Sequence, residues 1–290
     1  MSPPMSVTPQ AHRRLDRRAV LAVGAGLLGA GALAAGGRVV LGWRAGGHTP
    51  APTSGPPGPR TTGVPAGTAL RPSGPVVVTT AGAVVEDLEI DGPVEIRAPR
   101  VTVRRCLVRC GPFWGVRIVE GNEGTLIEDT EIAPPTPGEQ DGIRGESGFT
   151  ARRLDIHGTS DGIKAGSSTR VERCWVHDLA NRPGDHADAV QILVGDGIAL
   201  VGNVLEGAGN AAVMASTDLG PIHGLRIEGN RLDGGNYTLM LRGGPHGDPT
   251  GLVVAGNRFG RGAQYGPAVI DGQFTQAGNV WADNGGELNL

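Results

Sequence analysis

Lysine occurs once in the 290 residues, at position 164, against 25 arginines. It closes the phrase Asp161-Gly162-Ile163-Lys164, which recurs with variation along the chain. The other copies are Trp114-Gly-Val-Arg117, Asp141-Gly-Ile-Arg144, Asp188-Ala-Val-Gln191, Ala211-Ala-Val-Met214 and Tyr237-Thr-Leu-Met240. Read as strands, these turn Val116, Ile143, Ile163 and Val190 inward and set Arg117, Arg144, Lys164 and Gln191 on one outward face. An amine can lose its proton where a guanidinium cannot. With Arg144 one repeat away, at about 5 Å, two charges repel by roughly 3.5 kcal/mol at an effective dielectric of 20. That repulsion predicts a lowered Lys164 pKa and makes the residue a candidate general base.

Asp141, Asp161 and Asp188 open the same phrases, and three stacked carboxylates repel unless something compensates. Arg, Lys or a Ca²⁺ ion could do so, since Ca²⁺ takes oxygen-only sites; no ligand set is assigned to it. Asp161 and Asp188 are also the pair a glycoside hydrolase would need. The longest insertion among the middle repeats, residues 178–188, delivers Asp185, His186 and Asp188 to the head of the strand after Lys164. A loop histidine flanked by carboxylates is a candidate base or substrate ligand. Gly115, Gly142, Gly162 and Ala189 are expected to leave a bare floor beside the outward row, so that an extended polymer could lie along it. Trp114 and Tyr237, at the two ends of the aspartate column, and Trp175 are candidate sugar platforms, and Arg117, Gln191 and Asp141 complete the candidate binding set.

Such a row requires strands that repeat at a fixed period. A second family of segments supplies the period: Val85–Ile90, Val103–Val108, Ile127–Ile132, Ala151–Ile156, Val171–Val176, Leu200–Leu205, Ile227–Leu232, Val254–Phe259 and a final Gln276–Val280. Their fourth positions form one column, Leu88, Cys106, Thr130, Leu154, Cys174, Asn203, Asn230, Asn257 and Asn279. No 3.6-residue periodicity appears, so each repeat is a turn of strands and bends. Coils stack about 4.8 Å apart, which lets the four asparagines bond to one another inside the solenoid. Cys106 and Cys174, three coils apart, lie beyond disulfide reach and read as small core residues. The expected fold is all-β, a single-stranded right-handed parallel β-helix of about eight to nine coils over residues 72–285. This resembles the pectate-lyase-like superfamily.

Glycine is plentiful, 50 residues, with no collagen-like period. The net charge of −3 is uneven. Residues 1–68 hold seven arginines and one acid, leaving 19 basic and 28 acidic residues, a net of −9, in the body. An acidic body argues against nucleic acid as a partner. Arg17-Arg18 followed by the weakly apolar run from Ala19 resembles a bacterial twin-arginine export signal. The domain expectation is a signal or membrane anchor over 1–41, a Pro/Gly-rich disordered linker over 42–68 and the β-helix over 69–290. Ala32-Leu33-Ala34 offers a cleavage site, and without cleavage the run from Ala19 to about Leu41 is long enough to anchor in a membrane. The expected location is outside the cytoplasm. Gly24-Ala25-Gly26-Leu27-Leu28-Gly29 fits a dinucleotide fingerprint only by chance, because no strand precedes it.

Secreted members of the resembled superfamily are mostly polysaccharide lyases, uronate epimerases or glycosidases. Asp185-His186-Ala187-Asp188 with Lys164 is similar to the Asp-Pro-His-Asp and lysine of mannuronan epimerases, without the proline or the accompanying tyrosine. Arg144 and Lys164 resemble the acid and base pair of other β-helix lyases. The polygalacturonase motifs are absent. The resemblance implies a carbohydrate-active protein working on a uronate polymer by proton abstraction, as a lyase or C5 epimerase. A non-catalytic glycan-binding or structural β-helix, and a hydrolase using Asp161 and Asp188, stand as alternatives.

Overall fold

A computed structural model describes residues 55–146, 148–182 and 184–290. The export signal, the anchor and the first part of the linker lie outside these residues. Every regular element among them is a β-strand, and none is a helix. The strands sort into three long sheets of ten, nine and nine members. Within each sheet the neighbours are three strands apart in sequence for most of its length and the ladders are parallel. One coil therefore gives one strand to each sheet, and the chain climbs as a parallel β-solenoid of about eight turns.

The core is a stack of aliphatic columns. Val116, Ile143, Ile163, Val190 and Val213 follow one another in register and are fully buried, as are Ile132, Ile156, Val176 and Leu205 on a second side. Short β-branched strands suit this shape, because each branched side chain packs on its copies one coil above and below.

The corner that precedes the asparagine column needs a left-handed residue in each coil. Gly202, Gly229, Gly256 and Gly278 fill it before the four asparagines, at φ of 61–65°. In the earlier coils the same corner is taken by Asp87, Arg105, Asp129, Arg153 and Arg173, at φ of 49–57°. Left-handed backbone is unfavourable for such residues. Their side chains offset part of the cost by pairing: Arg105 Nε lies 2.7 Å from Asp87 Oδ1, and Arg153 Nε lies 2.6 Å from Asp129 Oδ1.

Residues 55–68, part of the stretch expected as linker, touch the solenoid, with Gly63 beside Glu131 and Asp155 of the ten-stranded sheet. Gly63 N–H donates to the Arg153 carbonyl at 2.9 Å, Thr62 and Gly63 are buried, and the Gly55 carbonyl accepts from Arg173 at 2.7 Å. Proline and glycine content signals a lack of helix or strand; it does not prevent turns from docking on a preformed surface.

Candidate functional site

The register of the second sheet sets Arg117, Arg144, Lys164, Gln191 and Met214 side by side on successive coils. All five are half-buried or exposed, while the residue before each is fully buried. The outward row expected from alternation is therefore present. The bare floor is not. A Cβ on Gly142 would meet the Gly162 carbonyl at 2.5 Å and the Ile156 side chain at 2.7 Å. One on Gly162 would meet the Ala189 carbonyl and the Val176 side chain, each at 2.5 Å. These glycines face the interior. Gly142 and Ile143 are consecutive inward residues, so strict alternation fails where the strand leaves its corner. Small residues are required here by core packing, and Ala189, also fully buried, serves the same purpose.

The break in alternation turns Asp141 toward the same side as Lys164. The Lys164 ammonium lies 2.9 Å from Asp141 Oδ1 and 3.0 Å from Asp161 Oδ2. Burial alone would lower the Lys164 pKa, but the two carboxylates outweigh it and the pKa is raised. The neutral amine expected from crowding by Arg144 is thus overturned. Arg144 points further out, with its side chain half exposed, and reaches Asp141 Oδ2 only at 3.6 Å. Lys164 also occupies the space between two carboxylates where a Ca²⁺ ion would have to sit. Among the described residues no group of His, Cys, Asp and Glu is arranged to hold a metal.

Asp188, the third carboxylate, has no cation within salt-bridge reach among the described residues. It is fully buried. Its Oδ1 accepts from Asn210 at 2.8 Å and its Oδ2 from Gln191 at 3.2 Å, while Asp161 Oδ1 accepts the Asp188 backbone N–H at 2.9 Å. Burial, and next the charge of Asp161, push its pKa up to about 7. Asp141 is shifted up as well, chiefly by burial.

His186 is exposed and makes no hydrogen bond or ion pair among the described residues. Its loop is tied at Arg182, whose Nη1 lies 2.6 Å from Glu139 Oε1. Trp114 pairs with Phe113, ring centroids 5.7 Å apart, and carries the Arg117 guanidinium over its ring at 5.1 Å. Tyr237 pairs with Tyr265, also at 5.7 Å. Phe113 and Tyr265 are largely exposed and were not singled out by sequence, because neither belongs to a repeated phrase. Cys106 and Cys174 are fully buried core thiols with pKa values pushed by burial up to about 11 and 12.

The chain matches no protein-family model, no curated protein and no solved structure.

Proposed function

We propose that this protein is an exported, carbohydrate-active solenoid of the pectate-lyase-like kind, acting on a uronate-containing polysaccharide. One observation carries the reading: three cations, Arg117, Arg144 and Lys164, stand in register on neighbouring coils of one face. A polymer lying along the solenoid axis would present its carboxylates to them. Proton abstraction next to a carboxylate builds negative charge there, and fixed cations stabilise it. Lys164, held charged by two aspartates, suits that electrostatic part rather than the part of base. We assign the base to His186, which is exposed and makes no hydrogen bond or ion pair among the described residues. It would take the proton at C5 of the uronate. In a lyase the bond from C4 to the bridging oxygen then breaks and that oxygen is protonated; in an epimerase a proton returns to the opposite face of C5.

A non-catalytic glycan-binding reading is favoured by a separate fact: the one titratable cation of the row is pinned in an ion-pair cluster. Hydrolysis by Asp161 and Asp188 is disfavoured, since flanking carboxylates must reach the sugar and both are buried.

The test uses the full chain with polygalacturonate and alginate. Binding is followed by co-sedimentation, unsaturated products by ultraviolet absorbance and epimer content by NMR. Arg144→Ala should weaken binding about tenfold or more, and His186→Gln should abolish turnover while leaving binding intact. Lys164→Arg should keep most activity, because charge is what the position supplies. Binding without turnover on either polymer selects the non-catalytic reading; no binding to either overturns the proposal.

A further inference from the structure

A different face of the solenoid carries a cleft of about 330 Å³. It lies on the sheet that holds strand Trp175–His177, away from the cation row on the second sheet. Trp175 and His177 point outward from one strand, and their rings stack at 3.4 Å between centroids and 14° between planes. Both ring nitrogens of His177 are engaged, Nε2 by Asp155 Oδ1 at 2.9 Å and Nδ1 by Asp178 Oδ2 at 2.7 Å. The indole is fixed at its other edge, where Nε1 donates to Glu206 Oε1 at 3.1 Å. An aromatic wall is thereby locked in place before any ligand arrives.

Glu206 and Asp233, on the next two coils of the same sheet, continue the lining. Asp233 Oδ1 accepts from the backbone N–H of Gly234 and Gly262 at 2.9 and 2.8 Å, which aims the carboxylate without neutralising it. Its Oδ2 carries no hydrogen bond among the described residues. Glu206 Oε2 has only Arg231 Nε, at 3.9 Å. Two acceptor oxygens on neighbouring acids thus line a cleft whose histidine, His177, is already engaged by Asp155 and Asp178. The floor is glycine: a Cβ on Gly207 would strike the Asp178 backbone N at 2.6 Å, and one on Gly262 would reach Asp233 Oδ1 at 2.8 Å.

We propose that this cleft is a second binding site, for a sugar bearing a free amine. The volume admits one sugar ring. The ammonium supplies the cation that Asp233 lacks among the described residues and that Glu206 meets only at 3.9 Å in Arg231, the hydroxyls supply further donors, and an ammonium over an indole face adds attraction. A uronate would be repelled here, so this site and the cation row select opposite charges.

The experiment is calorimetric titration of the full chain with glucosamine, glucose, galacturonic acid and methylammonium. Glucosamine should bind at least tenfold more tightly than any of the other three. Glu206→Gln with Asp233→Asn should remove that preference, with Trp175→Phe weakening binding several-fold as an independent variant that leaves the acids in place. Arg144→Ala, which weakens the cation row, should leave glucosamine affinity unchanged, which separates this site from the row whatever the fate of the uronate proposal. Glucose or methylammonium binding as tightly as glucosamine, or a folded double variant that binds as well as wild type, would overturn the proposal.

Discussion

The amide stack Asn203, Asn230, Asn257 and Asn279 and the carboxylate stack Asp141, Asp161 and Asp188 both repeat once per coil, and both are buried. The amides need no help. The Oδ1 of Asn230, Asn257 and Asn279 each accepts a backbone N–H and a side-chain N–H from the preceding coil, as Asn230 does from Asn203 at 2.8 and 2.9 Å. The Nδ2 of Asn203, Asn230 and Asn257 each donates onward and to a main-chain carbonyl, as Asn230 does to Asn257 Oδ1 at 3.0 Å and Leu200 O at 2.9 Å. An amide is donor and acceptor at once, so a column of identical residues satisfies itself. A carboxylate is acceptor only. At about 4.8 Å two of them repel by roughly 3.5 kcal/mol at an effective dielectric of 20. The column therefore changes its solution from coil to coil: Asp141 and Asp161 share Lys164, Asp188 has its pKa raised and accepts from the neighbouring Asn210, itself reached by Asn236 at 3.3 Å, and the next position in register is the uncharged Ala211. A repeat can propagate neutral self-complementary groups indefinitely; charged groups force it to vary, and variation is where chemistry can enter.

The strongest way to break the comparison is within the amide stack. Asn230→Leu removes the acceptor of the Asn203 N–H, one of the two acceptors of Asn203 Nδ2 and the donor to the Leu200 carbonyl, at about 1–3 kcal/mol for each buried group left unsatisfied. The expected loss is about 5 kcal/mol in a urea melt, and a loss below about 1 kcal/mol would show that the ladder is not self-supporting.

The carboxylate stack should instead show itself through pH. Asp188 has a folded pKa of about 7 against an ordinary value of 3.8. Below the ordinary value both folded and unfolded states hold the proton and no penalty applies. Between the two values the unfolded state releases it and the folded state keeps it, so stability falls as pH rises. Above about 7 the penalty is constant, at up to about 4 kcal/mol by the linkage relation. Melts of Asp188→Asn and wild type from pH 4 to pH 8 check this: the wild-type decline should flatten in the variant, and parallel curves would refute it.

Lys164→Met removes the cation that two buried carboxylates share. Unpaired buried charges are costly, and with Lys164 partly exposed the loss should be about 3 kcal/mol at pH 7. It should shrink at acid pH as Asp141, whose pKa burial raises, takes up a proton, a dependence that a plain packing defect would lack.

The smallest effect sharpens the corner. Gly229 is left-handed at φ 65° with nothing within 4 Å of a built Cβ, so Gly229→Ala tests backbone conformation alone. The cost should be about 1 kcal/mol, and a neutral result would show that the corner relaxes.

Much of this architecture was legible as residue columns. The asparagines, Cys106, Cys174 and the outward row Arg117, Arg144, Lys164 and Gln191 occupy the places their repetition indicated, because in a parallel solenoid sequence period and spatial neighbour are the same thing. Legibility failed where a residue answers to something other than its own column. The direction of Gly142 and Gly162 depends on a local break in alternation. Lys164 chooses between Arg144 beside it, Asp161 three residues before it and Asp141 one coil away, and only the placed carboxylates decide. Glu206 and Asp233 gained meaning only beside Trp175 and His177, which sit in differently spelled repeats.

The sequence by itself determined the all-β class, the coil period, which side chains stack inside and which residues share the outward face. These follow from periodicity, and periodicity is a property of the chain. The tertiary structure alone decided the charge state of Lys164, the raised pKa of Asp188, the docking of residues 55–68 and the cleft at Trp175. Each of these is a balance between burial and the nearest charge or hydrogen-bond partner. Such balances turn on distances of an ångström or two between separate coils, which no spacing along the chain records.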